Sequence, residues 1–328
     1  MSLFEKVKNK IHNKRIDFGF LPFEKKFGKR IIMYHGIDLL ENKQFNGRFI
    51  GVKNFEEQIV YFKKNFNIVT LKDYAQGNFK PDMFNIAITF DDGYQNNLKF
   101  AVPILEKQKV PASIFITGLN NTESKIIWSD FSDIAAFFLT DNIVLDGITF
   151  HKNTNGRLYA ADTNLSLYDY IKNDPSGGYE RKEKLQEAFL KKIKDFRLES
   201  KLDTYWKLMS DEEIKQLASS NYISVGSHGY YHNNLGIINE TAAIDEMHLS
   251  KKYLENIIQK EVDSIAYPDG SYSPAIVNAA EKLGYSIQLA VNYLDAKHTS
   301  NMRLFDRFGV YPFYNANRLG YMLRKLKE

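Results

Sequence analysis

Apolar residues follow two periods along this chain. Short runs rich in β-branched and aromatic residues stand at 30–34, 67–70, 85–90, 111–117, 222–225, 262–267 and 285–291. Between them, apolar residues recur at helical spacing over 54–65, 96–109, 211–219, 239–259 and 274–283. Phe55, Ile59 and Phe62 mark one face of the first helix, and Asn54 is its expected N-cap. Strands alternating with helices of this length predict an α/β fold, a parallel sheet with helices outside it. Six or seven such repeats favour a barrel over an open sheet. In a barrel, chemistry gathers at the C-terminal ends of the strands.

Residues from about 119 to 209 break this rhythm. They carry the turn signals Asn120-Asn121, Asp174-Pro175 and Ser176-Gly177-Gly178, then a charged helical run over 179–198. This reads as a mid-chain insertion, either capping a substrate groove or decorating the surface. The expected organisation is therefore a basic arm at 1–29 and a barrel over 30–328 interrupted at about 119–209. Internal repeats and low-complexity tracts are absent from the sequence.

Composition narrows the chemistry. The 328 residues include no cysteine, which excludes disulfide scaffolds, thiolate zinc sites, iron–sulfur clusters and a cysteine nucleophile. Any metal must sit on His, Asp or Glu. The net charge of +4 is small, but residues 1–30 hold nine Lys or Arg and three acids, an excess of 9 − 3 = +6 that leaves the remainder near −2. Leu3, Val7 and Ile11 recur among Lys6, Lys8, Lys10, Lys14 and Arg15, which fits a short helix with a cationic face. Residues 1–15 then form either a solvated surface helix or a peripheral contact with an anionic membrane. Basic residues interrupt the place where a signal peptide needs an apolar core, and no stretch approaches the roughly 18 apolar residues of a membrane span. The expectation is a cytoplasmic protein, with the inner membrane face as an open alternative. No motif supports nucleic-acid binding.

Two strand ends carry candidate chemistry. Thr89-Phe90-Asp91-Asp92-Gly93-Tyr94 follows the apolar run 86–88. Adjacent carboxylates repel and raise one pKa unless a cation lies between them, although the same pair also suits a solvated turn. Ser227-His228-Gly229-Tyr230-Tyr231-His232 follows the run 222–225. Two His four residues apart share a face if the segment is helical, which presents two imidazoles to one metal. Together the motifs offer Asp, His and His as three ligands, leaving positions open for water.

These motifs, with Ala266-Tyr267-Pro268-Asp269-Gly270, resemble carbohydrate esterase family 4, the polysaccharide deacetylases with a NodB homology domain. The resemblance covers about 30–118 and 210–312. It implies a distorted (β/α) barrel and a hydrolase that removes N- or O-acetyl groups from an acetylated glycan or glycan precursor, most simply N-acetyl. By position, Asp91 looks like the catalytic base, Asp92, His228 and His232 like the metal ligands, and Tyr94 like the residue whose backbone N–H meets the oxyanion. The implied metal is zinc, with Co, Ni or Mn compatible with the same donors.

The sequence departs from the family pattern twice. Ala266 stands where an Arg is expected two residues before Pro268, and the late Leu-x-His motif that supplies a general acid is missing. His298 is the histidine left in that region, in a polar loop. The first strand ends in Met33-Tyr34-His35-Gly36, similar to the circularly rearranged branch that includes the poly-N-acetylglucosamine deacetylases, so the resemblance makes a protonated His35 the acid. A histidine closing a strand by hydrogen bonding is the plainer alternative. Arg307 either reaches Asp91 from a late strand or forms a surface ion pair. Tyr230, Tyr231, Tyr267 and Tyr272 stack on sugar rings or pack loops onto the barrel. Tyr267, Pro268 and Asp269 are candidate substrate or support residues. A glycan-binding module without catalysis, and an amidohydrolase acting on a small non-sugar amide, are the competing functions.

Overall fold

The computed structural model describes residues 3–325 except 21–26, 41–44, 141, 175–177, 192, 194–196, 198–199 and 295. Its period-two runs form a parallel sheet in the spatial order Leu304–Phe305, Ile287–Leu289, Ser264–Ala266, Ile223–Ser227, Ala112–Ile116, Phe84–Phe90, Gly28–Tyr34 and Phe308–Gly309. A further strand, Asn67–Ile68, pairs beside Asn85 and Ile86. The two outermost strands are neighbours in sequence. Leu304 and Phe305 pair with Gln288 and Leu289, and then Phe308 and Gly309 pair with Ile32 and Met33. One segment thus covers both edges and curls the sheet into a distorted (β/α) barrel, leaving no long edge exposed.

Alternation along the strands separates two cores. Ile32, Tyr34, Ile86, Ile88, Phe90, Ile114, Ile116, Val225 and Ile265 pack outward against Phe55, Ile59 and Phe62 of the helix Val52–Asn65 and Ala243 and Met247 of the helix Glu240–Ile258. The intervening Ile31, Ala87, Phe115, Ala266 and Leu289 belong to a separate cluster inside the barrel. Continued past Met33, Thr89 and Gly226, the same inward rows reach His35, Asp91 and His228. The ladder continues that far, because the Asp91 N–H donates to the Tyr34 carbonyl and the His228 N–H to the Ile116 carbonyl, both at 3.0 Å.

Element boundaries differ from expectation where side-chain partners lie far away. The first helix begins at Val52 after Gly51, and Asn54 is no cap; its amide donates to the Tyr314 carbonyl at 3.0 Å. Thr70 ends no strand, since its hydroxyl accepts the Asp73 N–H and caps the short helix Leu71–Gln76. The helix expected from residue 96 opens with a π turn at Asn97–Ala101 before the α-helix Val102–Gln108. Asn96 instead bridges Ile37 N–H and the Thr204 carbonyl.

Residues between 119 and 209 build a core of their own around Trp128, Phe131, Phe150, Phe189 and Trp206. It combines the helices Trp128–Phe138, Leu167–Lys172 and Tyr179–Leu190 with a three-stranded antiparallel sheet, Ile143–Leu145, Ile148–Lys152 and Leu158–Ala160. The helix expected over 179–198 stops at Leu190, and part of its remainder lies outside the described residues. Tyr94 and Phe49 join this core, tying it to the barrel mouth. The arm forms the helix Leu3–Asp17, held through Asp17, whose carboxylate accepts from Arg318 at 2.7 and 2.8 Å on the last helix, Ala316–Lys325. Of the expected stripe, Ile11 is exposed, and the Leu3 and Val7 side chains lie outside the described residues; Ile16, off the stripe, is buried. Among the described residues, no helix is long and apolar enough to cross a membrane.

The barrel interior tolerates little extra volume. A Cβ on Gly226 would lie 2.4 Å from the Phe115 ring and 2.9 Å from Ser264 Oγ. Gly226→Ala is therefore expected to destabilise the chain by about 1–3 kcal/mol, as overpacked cores do. Urea unfolding monitored by circular dichroism checks this; an unchanged midpoint would mean that the interior relaxes freely.

Candidate metal centre

The Asp91-Asp92-Gly93 turn sends consecutive carboxylates to different partners. Asp92 and Gly93 both take left-handed backbone, with φ of 77° and 79°. A Cβ on Gly93 would meet Ile116 Cγ2 at 3.0 Å, so glycine suits that position on two counts. Asp92 bears a side chain in the same conformation at a cost of roughly 1–2 kcal/mol. Its carboxylate is buried, with Oδ1 3.3 Å from Nε2 of both His228 and His232.

The two histidines do not sit on a helix. Residues 228–236 form a loop in which Gly229 and His232 are left-handed, with φ of 71° and 53°. That path brings the rings together, 4.9 Å between centroids. Buried Glu246 shapes the loop from behind, accepting from Tyr231 N–H at 2.9 Å, Asn233 N–H at 3.2 Å and the Asn233 amide at 2.8 Å. A Cβ on Gly229 would strike the Glu246 carboxylate at 2.7 Å. Lys182, from the helix Tyr179–Leu190, donates to Asn233 Oδ1 at 3.1 Å. Burial lowers its ammonium to about 8, against the opposing pull of Glu246.

The donors fit a divalent ion. Asp92, His228 and His232 offer ligand atoms within 4.8 Å of one another, all buried. Both Asp92 oxygens are buried without a hydrogen-bond partner among the described residues. The 3.3 Å spacing to each imidazole nitrogen is close to the edge, about 3.3 Å, of a tetrahedron with bonds of about 2.0–2.1 Å. His228 Nδ1 lies 2.8 Å from the Ala266 carbonyl, which fixes Nε2 as the free nitrogen facing Asp92. Burial alone would raise the Asp92 carboxyl, but the two imidazoles and Arg48 hold it well below its usual range.

Asp91 faces Arg307. The guanidinium donates from Nη1 to Oδ1 and from Nη2 to Oδ2, each at 2.7 Å, and from Nε to the Ala290 carbonyl at 3.1 Å. Both side chains are buried, and the surface-pair alternative for Arg307 is excluded. Arg307 sits between Leu304–Phe305 and Phe308–Gly309, where the chain passes from one sheet edge to the other. It supplies the cation absent at Ala266, which lies in the barrel interior. Burial raises the Asp91 carboxyl, and the Arg307 charge more than offsets this, leaving it below its ordinary value.

His35 follows the strand Gly28–Tyr34, its Nδ1 buried and without a hydrogen-bond partner among the described residues. Burial, with Arg48 next in effect, holds its imidazole at about 3. The ring is therefore neutral near pH 7, whereas the role that the resemblance implies needs it protonated, and Nδ1 makes no strand-closing hydrogen bond among the described residues. His298 lies elsewhere, its Nδ1 3.0 Å from the Tyr272 hydroxyl. The Tyr94 N–H stays outside the bridge to Leu208, which uses Gln95 N–H and the Gly93 carbonyl.

The remaining motif residues serve mainly as packing. Tyr267 is buried and donates to Gln288 Oε1 at 2.6 Å, while Tyr272 packs on it at 5.7 Å. Tyr230 lies against Gly118 and Tyr253, and Tyr231 stacks on Tyr179 at 4.6 Å. Pro268 opens a tight turn beside Gly229, and Asp269, left-handed at φ 57°, lies 3.7 Å from Lys172 Nζ.

A second polar cluster carries no motif. Arg48 Nη2 lies 3.7 Å from Asp92 Oδ2 and 3.4 Å from Asp130 Oδ1. Asp130 accepts from the Tyr94 hydroxyl and the Asn46 amide, each at 2.7 Å. Burial pushes the Asp130 carboxyl well above its usual range, with Arg48 opposing and Asp92 adding. One isolated Arg and one Asp in an apolar helix gave no signal by themselves; only the fold sets them beside Asp92.

A parallel barrel with Asp, His and His converging beyond its strand ends defines an α/β fold whose mouth carries three donors that could hold a metal ion. The chain belongs to the polysaccharide deacetylase family, whose model matches residues 80–151 and 184–287. It is similar to YxkH of Bacillus subtilis (strain 168), assigned as a polysaccharide deacetylase, with 22% identity over 301 residues, 90% of this chain and 76% of that protein. Its fold matches Streptococcus pyogenes deacetylase PplD, solved with acetate, at 17% identity and a TM-score of 0.54, covering 91% of this chain and 98% of that one. A de-N-acetylase from Aggregatibacter actinomycetemcomitans matches at 14% identity and a TM-score of 0.51, covering 90% and 99%.

Removing Arg307 tests the clamp. Arg307→Met leaves Asp91 buried and unpaired, an expected loss of about 3–5 kcal/mol. The sign of the pH dependence should also change. In the parent protein the depressed Asp91 contributes stability that is present above about 3.9 and is lost as pH falls through its native value. In the variant the carboxyl is raised, so stability should increase as pH falls and the group protonates. Urea unfolding from about pH 2.5 to 8 with chelator present checks both; parallel pH profiles would remove the clamp from the account.

Proposed function

We propose that this deacetylase removes N-acetyl groups from a glycan or glycan precursor, with zinc at Asp92, His228 and His232. The observation that carries the reading is a buried, unpartnered carboxylate between two imidazoles, next to a second carboxylate held ionised by Arg307. The acetate in the PplD structure is the product such a reaction would release. Two nitrogens and one oxygen suit zinc and also Co, Ni or Mn. A divalent ion there supplies Lewis-acid polarisation of the carbonyl and acidified water.

The chain's residues would then divide the proton transfers. Asp91, ionised at neutral pH, accepts a proton from the water that attacks the acetyl carbon. The Tyr94 N–H faces the oxygen that gains charge. An amine leaves poorly without a proton. His35, neutral at rest, takes up a proton from solvent as that charge builds beside it and passes it to the departing nitrogen, after which Asp91 releases its own to water.

Acetate release from N-acetylated oligosaccharides, compared with 4-methylumbelliferyl acetate, separates these roles. Chelation should abolish both activities and zinc should restore them. Asp91→Asn should lose both by about 10²–10⁴-fold, the usual contribution of a general base. His35→Ala should lose amide turnover while retaining the aryl acetate, whose leaving group needs no proton. Normal rates in Asp91→Asn would sink the base assignment, and a loss confined to His298→Ala would move the acid there. Binding without acetate release would favour a non-catalytic module, and turnover only of non-sugar amides would favour the amidohydrolase reading.

For location, we propose that the arm rests on an anionic lipid surface. Lys8, Lys10, Ile11, Lys14, Arg15, Phe18 and Phe20 are all exposed. Asp17 fastens this helix to the start of Ala316–Lys325, which follows Phe308–Gly309, so Phe18 and Phe20 sit toward the strand-end side of the barrel together with exposed Phe313. Cations beside exposed aromatic rings are the pattern of interfacial helices. Cosedimentation with phosphatidylglycerol vesicles should exceed that with phosphatidylcholine, and Phe18→Ser with Phe20→Ser should weaken it about tenfold or more. Equal binding to both vesicle types would refute the idea.

A further inference from the structure

We propose that Lys182 is a positioning residue for the metal ligand His232, so that metal affinity at the barrel mouth depends on the docked 119–209 region. The inference rests on the metal reading of Asp92, His228 and His232 and adds what holds one of the three in place.

The two histidines are supported differently. A ligating imidazole is ordinarily oriented by a hydrogen bond on its other nitrogen. His228 has one, from Nδ1 to the Ala266 carbonyl at 2.8 Å. His232 Nδ1 is buried and has none among the described residues. The aim of its ring therefore depends on its backbone, which is left-handed at φ 53°, a conformation that persists in a residue with a side chain only where the surroundings impose it.

Glu246 imposes it. Its Oε1 accepts the N–H of Tyr231 at 2.9 Å and the N–H of Asn233 at 3.2 Å, the residues on either side of His232. Its Oε2 accepts from the Asn233 side-chain amide at 2.8 Å, so residue 233 is held through backbone and side chain together. The oxygen of that same amide accepts from Lys182 Nζ at 3.1 Å. Carboxylate, amide and ammonium form one buried chain, neutral as a whole. Without the ammonium, Glu246 would be a buried carboxylate with no compensating cation in this chain, and the clamp would loosen or protonate.

The cation comes from outside the barrel. Glu246 lies on Glu240–Ile258, which packs on the barrel sheet, whereas Lys182 lies on Tyr179–Leu190 with its ammonium 5.4 Å from the centre of the Trp128 ring. One turn later Gln186 donates to the Ile126 carbonyl at 3.0 Å, fixing this helix to the second core. The hydrogen-bonded chain thus joins the two packing units beside His232. Coupling of this kind is reciprocal: if the docked helix raises metal affinity, bound metal must favour the docked helix by the same factor.

The test measures zinc binding to the full chain by competition with a chromophoric chelator, and reads ligand geometry from the visible absorption of the cobalt-loaded protein. Lys182→Met should weaken zinc by about 10–100-fold, as loss of a ligand's outer support does, and should shift the cobalt bands. Glu246→Gln should weaken zinc comparably, and adding Lys182→Met to it should change the affinity by less than about threefold, because both act through Asn233. Phe189→Leu, which loosens the same helix without touching Asn233, should leave the cobalt bands in place. In hydrogen exchange, zinc should slow the amides of 179–190 in the parent protein and not in Asn233→Ala. Zinc affinity within about threefold of the parent in Lys182→Met, or fully additive losses in the double variant, overturns the positioning role while the metal reading stands. A parent chain that binds neither zinc nor cobalt overturns the metal reading and this proposal with it. Should Lys182→Met fail to fold, Asn233→Ala decides from the barrel side: a loss of about tenfold or more with shifted cobalt bands supports the proposal, and unchanged affinity overturns it.

Discussion

Two consecutive carboxylates are buried at one strand end, and keeping both ionised is the constraint around which the barrel mouth is arranged. Each carboxylate has a different source of positive charge. Asp91 is clamped by Arg307, which arrives from the segment that closes the sheet. Asp92 faces two imidazoles and a place for a metal. Closure of the barrel and ionisation of Asp91 therefore depend on the same six residues, 304–309. That coupling explains how the chain does without an arginine at position 266: the cation comes from another strand, on the same interior face.

Left-handed backbone sets the remaining geometry. Asp92, Gly93, Gly229, His232 and Asp269 all take positive φ, and all lie in the three loops that meet over the barrel. Such strain persists where surroundings over-determine it. Here the restraint is visible in Glu246, which occupies the backbone donors of the histidine loop, and in Lys182, which links that loop through Asn233 to the 119–209 region. The candidate metal ligands are thus positioned partly by residues far from the motifs.

The 119–209 region also changes the electrostatics of the site. Arg48 stands between Asp92 and Asp130, and the Tyr94 side chain turns away from the barrel to bond with Asp130. Tyr94 therefore serves two neighbourhoods, its side chain the second core and its backbone the candidate oxyanion position. The neutral resting state of His35 follows from the same crowding, since burial and Arg48 together disfavour a further positive charge.

The strand and helix alternation, the two candidate motifs and their location at strand ends were legible in the order of residues alone. These features are local: period-two runs, turn residues and short spacings are all written within a few positions. The sequence also marked Asp91, Asp92, His228 and His232 as a set and His35 as a further candidate. It did not specify the path of the histidine loop, because i,i+4 spacing is satisfied equally by a helix and by a turn through Gly229. It left Arg307 undecided between a surface pair and the Asp91 clamp, since that choice depends on two residues 216 positions apart meeting when the sheet curls into the barrel. Arg48, Asp130, Glu246 and Lys182 had no signal at all. Their roles arise from charge, burial and desolvation, which are properties of neighbours in space and are decided only when the chain has folded.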